Sequence, residues 1–132
     1  MTMYSTTTDK VTVSVEPTYL LRESSPDEGV YVWAYKVRIE NHGTDILQLK
    51  SRYWKITDAY GRVQEVHGAG VVGEQPVLNP GSAYEYTSGT PLSTPNGIMV
   101  GSYAMQMTDG TLLDVAIPAF SLHTPEIAKR LN

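Results

Sequence analysis

The segment HGAGVVGEQP carries a G-x-G-x-x-G pattern, with Gly68, Gly70 and Gly73 at its three glycine positions. In a dinucleotide-binding fold, such glycines follow a strand and open a helix whose N-terminus meets a pyrophosphate. A strand precedes the pattern here, but EQPVLNPG follows it, and a core helix cannot begin there, so we reject the Rossmann interpretation. Two interpretations remain. In the first, backbone N–H groups of the segment form a nest for an anion. In the second, which we favour, the glycines allow a positive φ or a close approach of strands.

Basic side chains are a second candidate for anion binding. Lys50, Arg52 and Trp54 occupy alternate positions on one face of a strand, and Lys36 and Arg38 do so on another strand. Cations beside an aromatic ring can bind phosphate or stack on bases, and on neighbouring strands these residues would converge with the glycine loop. The alternative, which we favour, is a solvated sheet face that blunts edge pairing.

Glu65 and His67 lie two residues apart, so both side chains should emerge on one face of a strand. They would form half of a metal site, with His42 or Asp58 needed from elsewhere. A turn histidine and a strand-end histidine are the favoured explanation, because no H-x-H or H-x-x-x-H spacing occurs. A nucleophile elbow, a P-loop and H-E-x-x-H are also absent, so we expect no catalytic residues and no cofactor.

The chain has 132 residues, of which 41% are apolar and 18% are charged. This composition predicts a single domain over 1–132 with a sizeable core. Without cysteine there is no disulfide framework or thiol catalysis, which fits a reducing compartment. A net charge of -4 argues against strong nucleic-acid binding. A signal-peptide pattern and a long apolar run are both missing, so we expect a cytoplasmic protein without membrane insertion.

Nearly every structured stretch alternates with a period of two residues, as strands with one buried face do. The clearest is 30–40, VYVWAYKVRIE, where Trp33 shares a face with Tyr31 and Tyr35 and is predicted to be in the core. The segment 68–81 is predicted to be a long loop, with room for a short strand. Strands are predicted near 11–15, 30–40, 46–58, 62–67, 83–88, 97–107 and 111–121.

These elements predict an all-β fold, an antiparallel two-sheet sandwich of about seven to eight strands. A closed barrel is the remaining alternative, because local patterns do not determine how sheets close. The core is expected over 11–122, with tails that are free to be mobile and a short terminal helix from Pro125. An exposed cluster of Tyr53, Tyr84 and Tyr86 would suit a protein interface.

Two longer segments carry a family resemblance: LKSRYWKITDAYGRVQEVHGAGVVGEQPVLNPGSAYEYTSG, which begins at Leu49, and LSTPNGIMVGSYAM. In their order and spacing they resemble the central motifs of the ApaG family, and the similarity runs over about 11–122. The resemblance implies a fibronectin type III/immunoglobulin-like β-sandwich. The ApaG family is similar to a domain of some eukaryotic F-box proteins and of a polymerase-delta-interacting protein, where that domain is an interaction module. It also implies an association with cobalt resistance and magnesium efflux, and a nucleotide or pyrophosphate as a candidate ligand.

Three functions are open at this point. We favour a non-enzymatic binding module that offers a sheet face or edge to a partner protein, with a homodimer also left open. The second is a small-ligand binder that holds nucleotide or pyrophosphate at 68–73 with Arg52 or Lys50, with or without a divalent metal. The least favoured is a metal-dependent phosphohydrolase that uses Glu65 and His67.

Overall fold

The computed structural model of the chain describes residues 2–125. Nine strands in this range form two antiparallel sheets, which confirms the predicted all-β sandwich. A short 3-10 turn, Pro26–Glu28, follows the second strand. Among the described residues, no helix is long and apolar enough to cross a membrane. The strands are β1 (Tyr4–Thr8), β2 (Val11–Tyr19), β3 (Tyr31–Asn41), β4 (Leu47–Asp58), β5 (Val63–Ala69), β6 (Val77–Leu78), β7 (Ala83–Leu92), β8 (Asn96–Met107) and β9 (Leu112–His123).

The first sheet has the strand order β1-β2-β3-β7, and the second has β5-β4-β8-β9, with β6 beside β4. The chain therefore crosses between the sheets after β3, before β7 and again before β8. The two sheets stay separate, so the barrel alternative is not formed. This arrangement is consistent with the fibronectin type III/immunoglobulin-like class.

The core lies between the inner faces of the two sheets, where alternate residues of the long strands are buried. Trp33 is 1% exposed, which confirms its predicted place in the core, and its Nε1 donates to the carbonyl of His123 at 3.0 Å. Three rings from both sheets pack together: the centroid of Tyr35 lies 5.3 Å from that of Trp54 and 5.9 Å from that of Phe120. Tilted aromatic contacts of this kind add to the burial of apolar area.

Two hairpin turns each contain a glycine at positive φ and an aspartate that accepts from the turn's backbone. Asp109 and Gly110 connect β8 to β9, with Gly110 at φ +89° and Asp109 Oδ1 accepting from the N–H of Thr111 at 2.9 Å. The connection from β4 to β5 contains Gly61 at φ +82°. Asp58 Oδ1 accepts from the backbone N–H of Tyr60 at 2.9 Å and from that of Arg62 at 3.0 Å, so its carboxylate stabilises the turn.

The structure departs from the sequence prediction at its N-terminal end. The first sheet begins at Tyr4, because the polar segment YSTTT pairs with β2 as an added strand. The Asp9-Lys10 turn that joins them has φ angles of 45° and 67°, as a tight hairpin requires. The predicted terminal helix lies outside the described residues from 126 onward.

Candidate functional site

The glycine segment folds into a tight turn after β5. Val71 N donates to Glu74 O at 2.8 Å, Glu74 N donates to Val71 O at 2.9 Å, and Gly70 N donates to Lys50 O at 2.9 Å. Gly70 has φ +61° and Gly73 has φ +82°, so the prediction that these glycines allow a positive φ is confirmed. Three N–H groups of the segment are therefore already bonded to carbonyls of the chain.

Arg52 converges on this segment, because β4 pairs with β5 and places Arg52 opposite Gly68. Nη1 of Arg52 donates to the carbonyl of Ala69 at 3.1 Å and to that of Gly70 at 3.0 Å. A Cβ at Gly68 would lie 2.5 Å from Nη1, so the missing side chain leaves room for the guanidinium. The loop thus presents carbonyl oxygens to this cation, and the cation anchors the loop.

The expectation that Lys50, Arg52 and Trp54 share a regular solvated face is wrong. The pairing of β4 with β8 shifts between Leu49 and Ser51, which puts Lys50 at a β-bulge. Trp54 is 3% exposed and belongs to the core. Arg52, two residues before Trp54, starts on the inner side of the sheet and reaches the sandwich edge with its guanidinium.

The basic residues of β3 do not join this site. Lys36 and Arg38 lie on the outer face of the first sheet, with exposed side chains. Nη1 of Arg38 lies 3.4 Å from Glu85 Oε2, Nε of Arg38 lies 3.7 Å from Glu40 Oε1, and Nζ of Lys36 lies 3.9 Å from the same Glu85 oxygen. For these two residues the solvated-face interpretation is confirmed.

The turn also closes one side of the sandwich. Val71 is fully buried and packs in the core, while Glu74 Oε2 accepts from the hydroxyl of Tyr84 on β7 at 2.9 Å. Gln75 Nε2 donates to the carbonyl of Lys50 on β4 at 2.8 Å. The segment therefore ties the second sheet to the edge of the first. The apolar pair Val71-Val72 inside a glycine-rich loop was the sequence signal for this role.

A buried tyrosine pair lies near Arg52. The hydroxyls of Tyr86 and Tyr103 are hydrogen-bonded to each other, and burial raises the pKa of both above the ordinary tyrosine value. The positive charge of Arg52 lowers the pKa of each by a smaller amount. The predicted exposed cluster of Tyr53, Tyr84 and Tyr86 is wrong, because Tyr86 is in the core and Tyr53 is on the other sheet.

Glu65 and His67 emerge on one exposed face of β5, as predicted. Tyr53 lies between them: its hydroxyl donates to Glu65 Oε2 at 3.0 Å, and its ring centroid is 4.8 Å from that of His67. Partial desolvation and this hydrogen bond raise the pKa of Tyr53. Within residues 2–125 no three histidine, aspartate or glutamate side chains are grouped closely enough to hold a metal ion. His42 pairs with Glu40 instead.

The outer face of the second sheet, called the open face below, was not predicted as a site. It consists of the outward side chains of β5, β4, β8 and β9, together with β6. Its exposed apolar residues are Val63, Val77, Ile98, Val100 and Leu112. Ile98 and Val100 flank the buried Met99, so three consecutive apolar residues stand in β8. An unbroken apolar run of this kind indicates in the sequence that both faces of this part of the strand are apolar.

The centre of the open face is a shallow depression of about 490 Å³. Small residues dominate its floor, while Tyr53 and His67 line one side and Asp114 the other. Arg52 and Gly68 also line it, so the depression borders the glycine segment. The lining residues are Ser51, Arg52, Tyr53, His67, Gly68, Ala69, Ser102, Ala104 and Asp114.

Comparison with known proteins places relatives over the whole chain. The family model of the ApaG domain matches residues 21–107. Protein ApaG of Paramagnetospirillum magneticum is 62% identical over 130 residues, covering 98% of this chain and 100% of the relative. Protein ApaG of Rhodospirillum centenum is 58% identical with the same coverage. A crystal structure of the ApaA protein of Bordetella pertussis is 50% identical, with a TM-score of 0.84 over 87% of this chain and 94% of that chain.

Proposed function

The chain belongs to the ApaG family, and from that premise we propose that it is a non-enzymatic binding module that docks a partner protein on its open face. The observation that carries the proposal is the set of exposed apolar side chains on that face. Ile98 and Val63 are each 52% exposed, and Leu112 is 67% exposed. The exposed apolar side chains lie in two groups, with Val63, Ile98 and Val100 toward one end of the face and Val77 and Leu112 toward the other. Exposed apolar residues gathered on one face favour an interaction site there.

The two outer faces of the sandwich support the choice of surface by contrast. On the first sheet, Lys36, Arg38, Glu40 and Glu85 form a network of exposed ion pairs, which keeps that face solvated. On the open face, no such network surrounds the apolar residues of the described strands. Covering a valine, leucine or isoleucine side chain completely contributes about 1.5–3 kcal/mol, so several partly exposed ones suffice to hold a partner.

The family association with cobalt resistance and magnesium efflux belongs to the same proposal. A module without catalytic residues would act on cation balance through the protein that it binds. The partner should present an apolar surface with a few polar groups at its rim, because the open face itself has that composition.

The experiment is a quantitative affinity purification with the tagged full chain and two variants. Ile98→Lys places a charge among the exposed apolar side chains at one end of the open face, and Leu21→Lys is the matched control, because Leu21 is 70% exposed and lies outside the sheets. We expect Ile98→Lys to lose at least tenfold of a specific partner while Leu21→Lys retains it, with melting temperatures close to that of the unaltered chain. Equal recovery with both variants would overturn the open face as the docking site.

A small-ligand binder is the second candidate function, and the position of Arg52 favours it. Both hydrogen bonds found for the guanidinium within the described residues use Nη1, and Arg52 is one of the residues that line the depression of about 490 Å³. Pyrophosphate or a nucleotide at Arg52, with Lys50 nearby, would raise the melting temperature by mass action. Titration of pyrophosphate and ATP, with and without Mg²⁺ or Co²⁺, tests this. A flat melting temperature for every ligand removes the candidate.

A further inference from the structure

We propose that a second copy of this chain covers the open face when no other partner is bound, in a two-fold symmetric dimer that sets Lys55 of each copy against Asp114 of the other. The inference rests on the proposed function in one respect, since it requires the open face to be a binding surface. The inference goes beyond the proposed function by naming a second copy of the chain as the occupant and by naming the contact that fixes the orientation of that copy.

The area of the open face suits a dimer of moderate affinity. Strands β4, β8 and β9 have 12 residues each. At about 3.3 Å per residue and about 4.8 Å between strands, four strands of that length measure about 40 by 19 Å, and the shorter β5 reduces the face to about 680 Å². Two such faces bury about 1,360 Å², which lies toward the lower end of specific protein interfaces.

The charges of the open face are self-complementary. Lys55 is exposed on β4, and Asp114 is exposed on β9. Among the ion pairs of the described residues, neither side chain takes part in one. The cross-strand neighbour of Lys55 is Glu65, but that carboxylate accepts the hydroxyl of Tyr53. Lys55 therefore remains on the face as a cation, and Glu65 and Asp114 as anions, without an ion pair among the described residues; Asp114 is the anion that also lacks a hydroxyl donor.

Strand register shows where the two-fold axis would pass. Ser102 on β8 pairs with Tyr53 on β4 and with Ala116 on β9. Lys55 lies two residues beyond Tyr53 along β4, and Asp114 lies two residues from Ala116 in the opposite direction along the sheet. Ser102 is therefore midway between the two charges. We place the two-fold axis in the interface plane over Ser102, perpendicular to the line from Lys55 to Asp114. Rotation about this axis sets Lys55 of each copy against Asp114 of the other, so two equivalent ion pairs form.

The same axis crosses the shallow depression, whose floor of small side chains permits close approach of the two faces. In the flattened sheet it also brings Val63 of one copy toward Leu112 of the other, so two exposed apolar residues at opposite corners cover each other. Apolar contacts would then supply most of the affinity, and the charge pairs would fix the orientation.

Charge reversal tests the contact directly, by sedimentation equilibrium from about 5 to about 500 μM protein, since an interface of this size fits micromolar dissociation constants. Lys55→Asp and Asp114→Lys each place like charges against each other in the homodimer, so each should raise the dissociation constant at least tenfold. An equimolar mixture of the two variants restores both attractive pairs, so heterodimers should form with about the affinity of the unaltered chain. Lys36→Asp on the first sheet is the control and should leave the dissociation constant unchanged.

A chain that stays monomeric across the whole range overturns this inference. A dimer whose affinity is unchanged by Lys55→Asp and Asp114→Lys overturns it as well, because the copies would then meet elsewhere. Melting temperatures check that both variants are folded. The affinity purification tests the proposed function separately. If the chain is monomeric but Ile98→Lys still abolishes partner capture, the dimer is rejected and the docking of another protein is retained. If the mixture of Lys55→Asp and Asp114→Lys dimerises but partner capture is insensitive to Ile98→Lys, the dimer is retained and the docking of another protein is rejected.

Discussion

Replacing Gly70 by alanine should destabilise the fold far more than the same replacement at Gly73, three residues along. Gly70 has φ +61°, and a Cβ built there overlaps the carbonyl oxygen of Glu74 and comes within 2.8 Å of its carbon. Gly73 has φ +82°, but its Cβ meets nothing within 4 Å. A left-handed backbone costs an alanine about 1–2 kcal/mol at either position. The smaller entropy of the unfolded alanine chain offsets about 0.4–1 kcal/mol of that cost.

The overlap at Gly70 adds a second loss. To relieve it, the turn between Val71 and Glu74 must open, and Val71 is fully buried in the core. Exposing a buried valine costs about 1.5–3 kcal/mol. We therefore expect Gly70→Ala to lower the free energy of unfolding by about 1.5–4.5 kcal/mol, against about 0–1.6 kcal/mol for Gly73→Ala.

Urea denaturation followed by tryptophan fluorescence measures both values, because Trp33 and Trp54 are buried. Equal free energies of unfolding for the two variants would refute the reasoning, since they differ only in the overlap with Glu74. A Gly70→Ala chain that keeps full stability but loses a pyrophosphate-induced rise in melting temperature would show that the segment serves a ligand rather than the fold.

Other parts of the molecule yield further predictions. Trp33→Ala should cost about 3–5 kcal/mol, measured by the same denaturation, because the side chain is 1% exposed; a loss below about 1 kcal/mol would contradict its place in the core. Tyr86→Phe leaves the hydroxyl of Tyr103 without its hydrogen-bond partner and should cost about 1–3 kcal/mol, whereas the double phenylalanine variant should cost less than the two single changes together. Burial raises the pKa of both tyrosines, so the unfolded chain loses those protons first; stability should hold below about pH 10 and fall above it, less steeply in the double variant. The purified chain should release no phosphate from nucleoside triphosphates at an enzyme-like rate, and a metal-dependent release lost on changing Glu65 or His67 would contradict a non-enzymatic role.

The fold was predictable wherever burial alone sets the side-chain pattern. In β3, alternate large residues point to the core, so period two identifies both the strand and the buried place of Trp33. In β1, the segment YSTTT is polar on both faces, and its pairing with β2 depends on a turn in which Asp9 and Lys10 have positive φ. Propensity does not indicate such a turn, because the backbone conformation is imposed by the strands on either side.

The candidate site was harder to predict, because register matters more there than residue type. The bulge at Lys50 separates it from Arg52, and no spacing rule reveals an extra residue in one strand. Which strands are neighbours is equally hidden: Arg52 reaches the glycine segment because β4 pairs with β5, while Lys36 and Arg38 lie on the other sheet. Tyr86 was placed in a candidate exposed cluster, yet its hydroxyl is buried against Tyr103.

A glycine pattern acquires its chemistry from the element that follows it. Before a helix, successive N–H groups stay free and point toward an anion. Here the chain turns back after two residues, so Val71 and Glu74 satisfy each other and Gly70 donates to β4. Toward Arg52 the segment presents carbonyl oxygens, which accept from Nη1 and leave the positive charge of the guanidinium in place. An anion at this edge would therefore be held by Arg52 and not by the glycines, whose conformation serves to bury Val71.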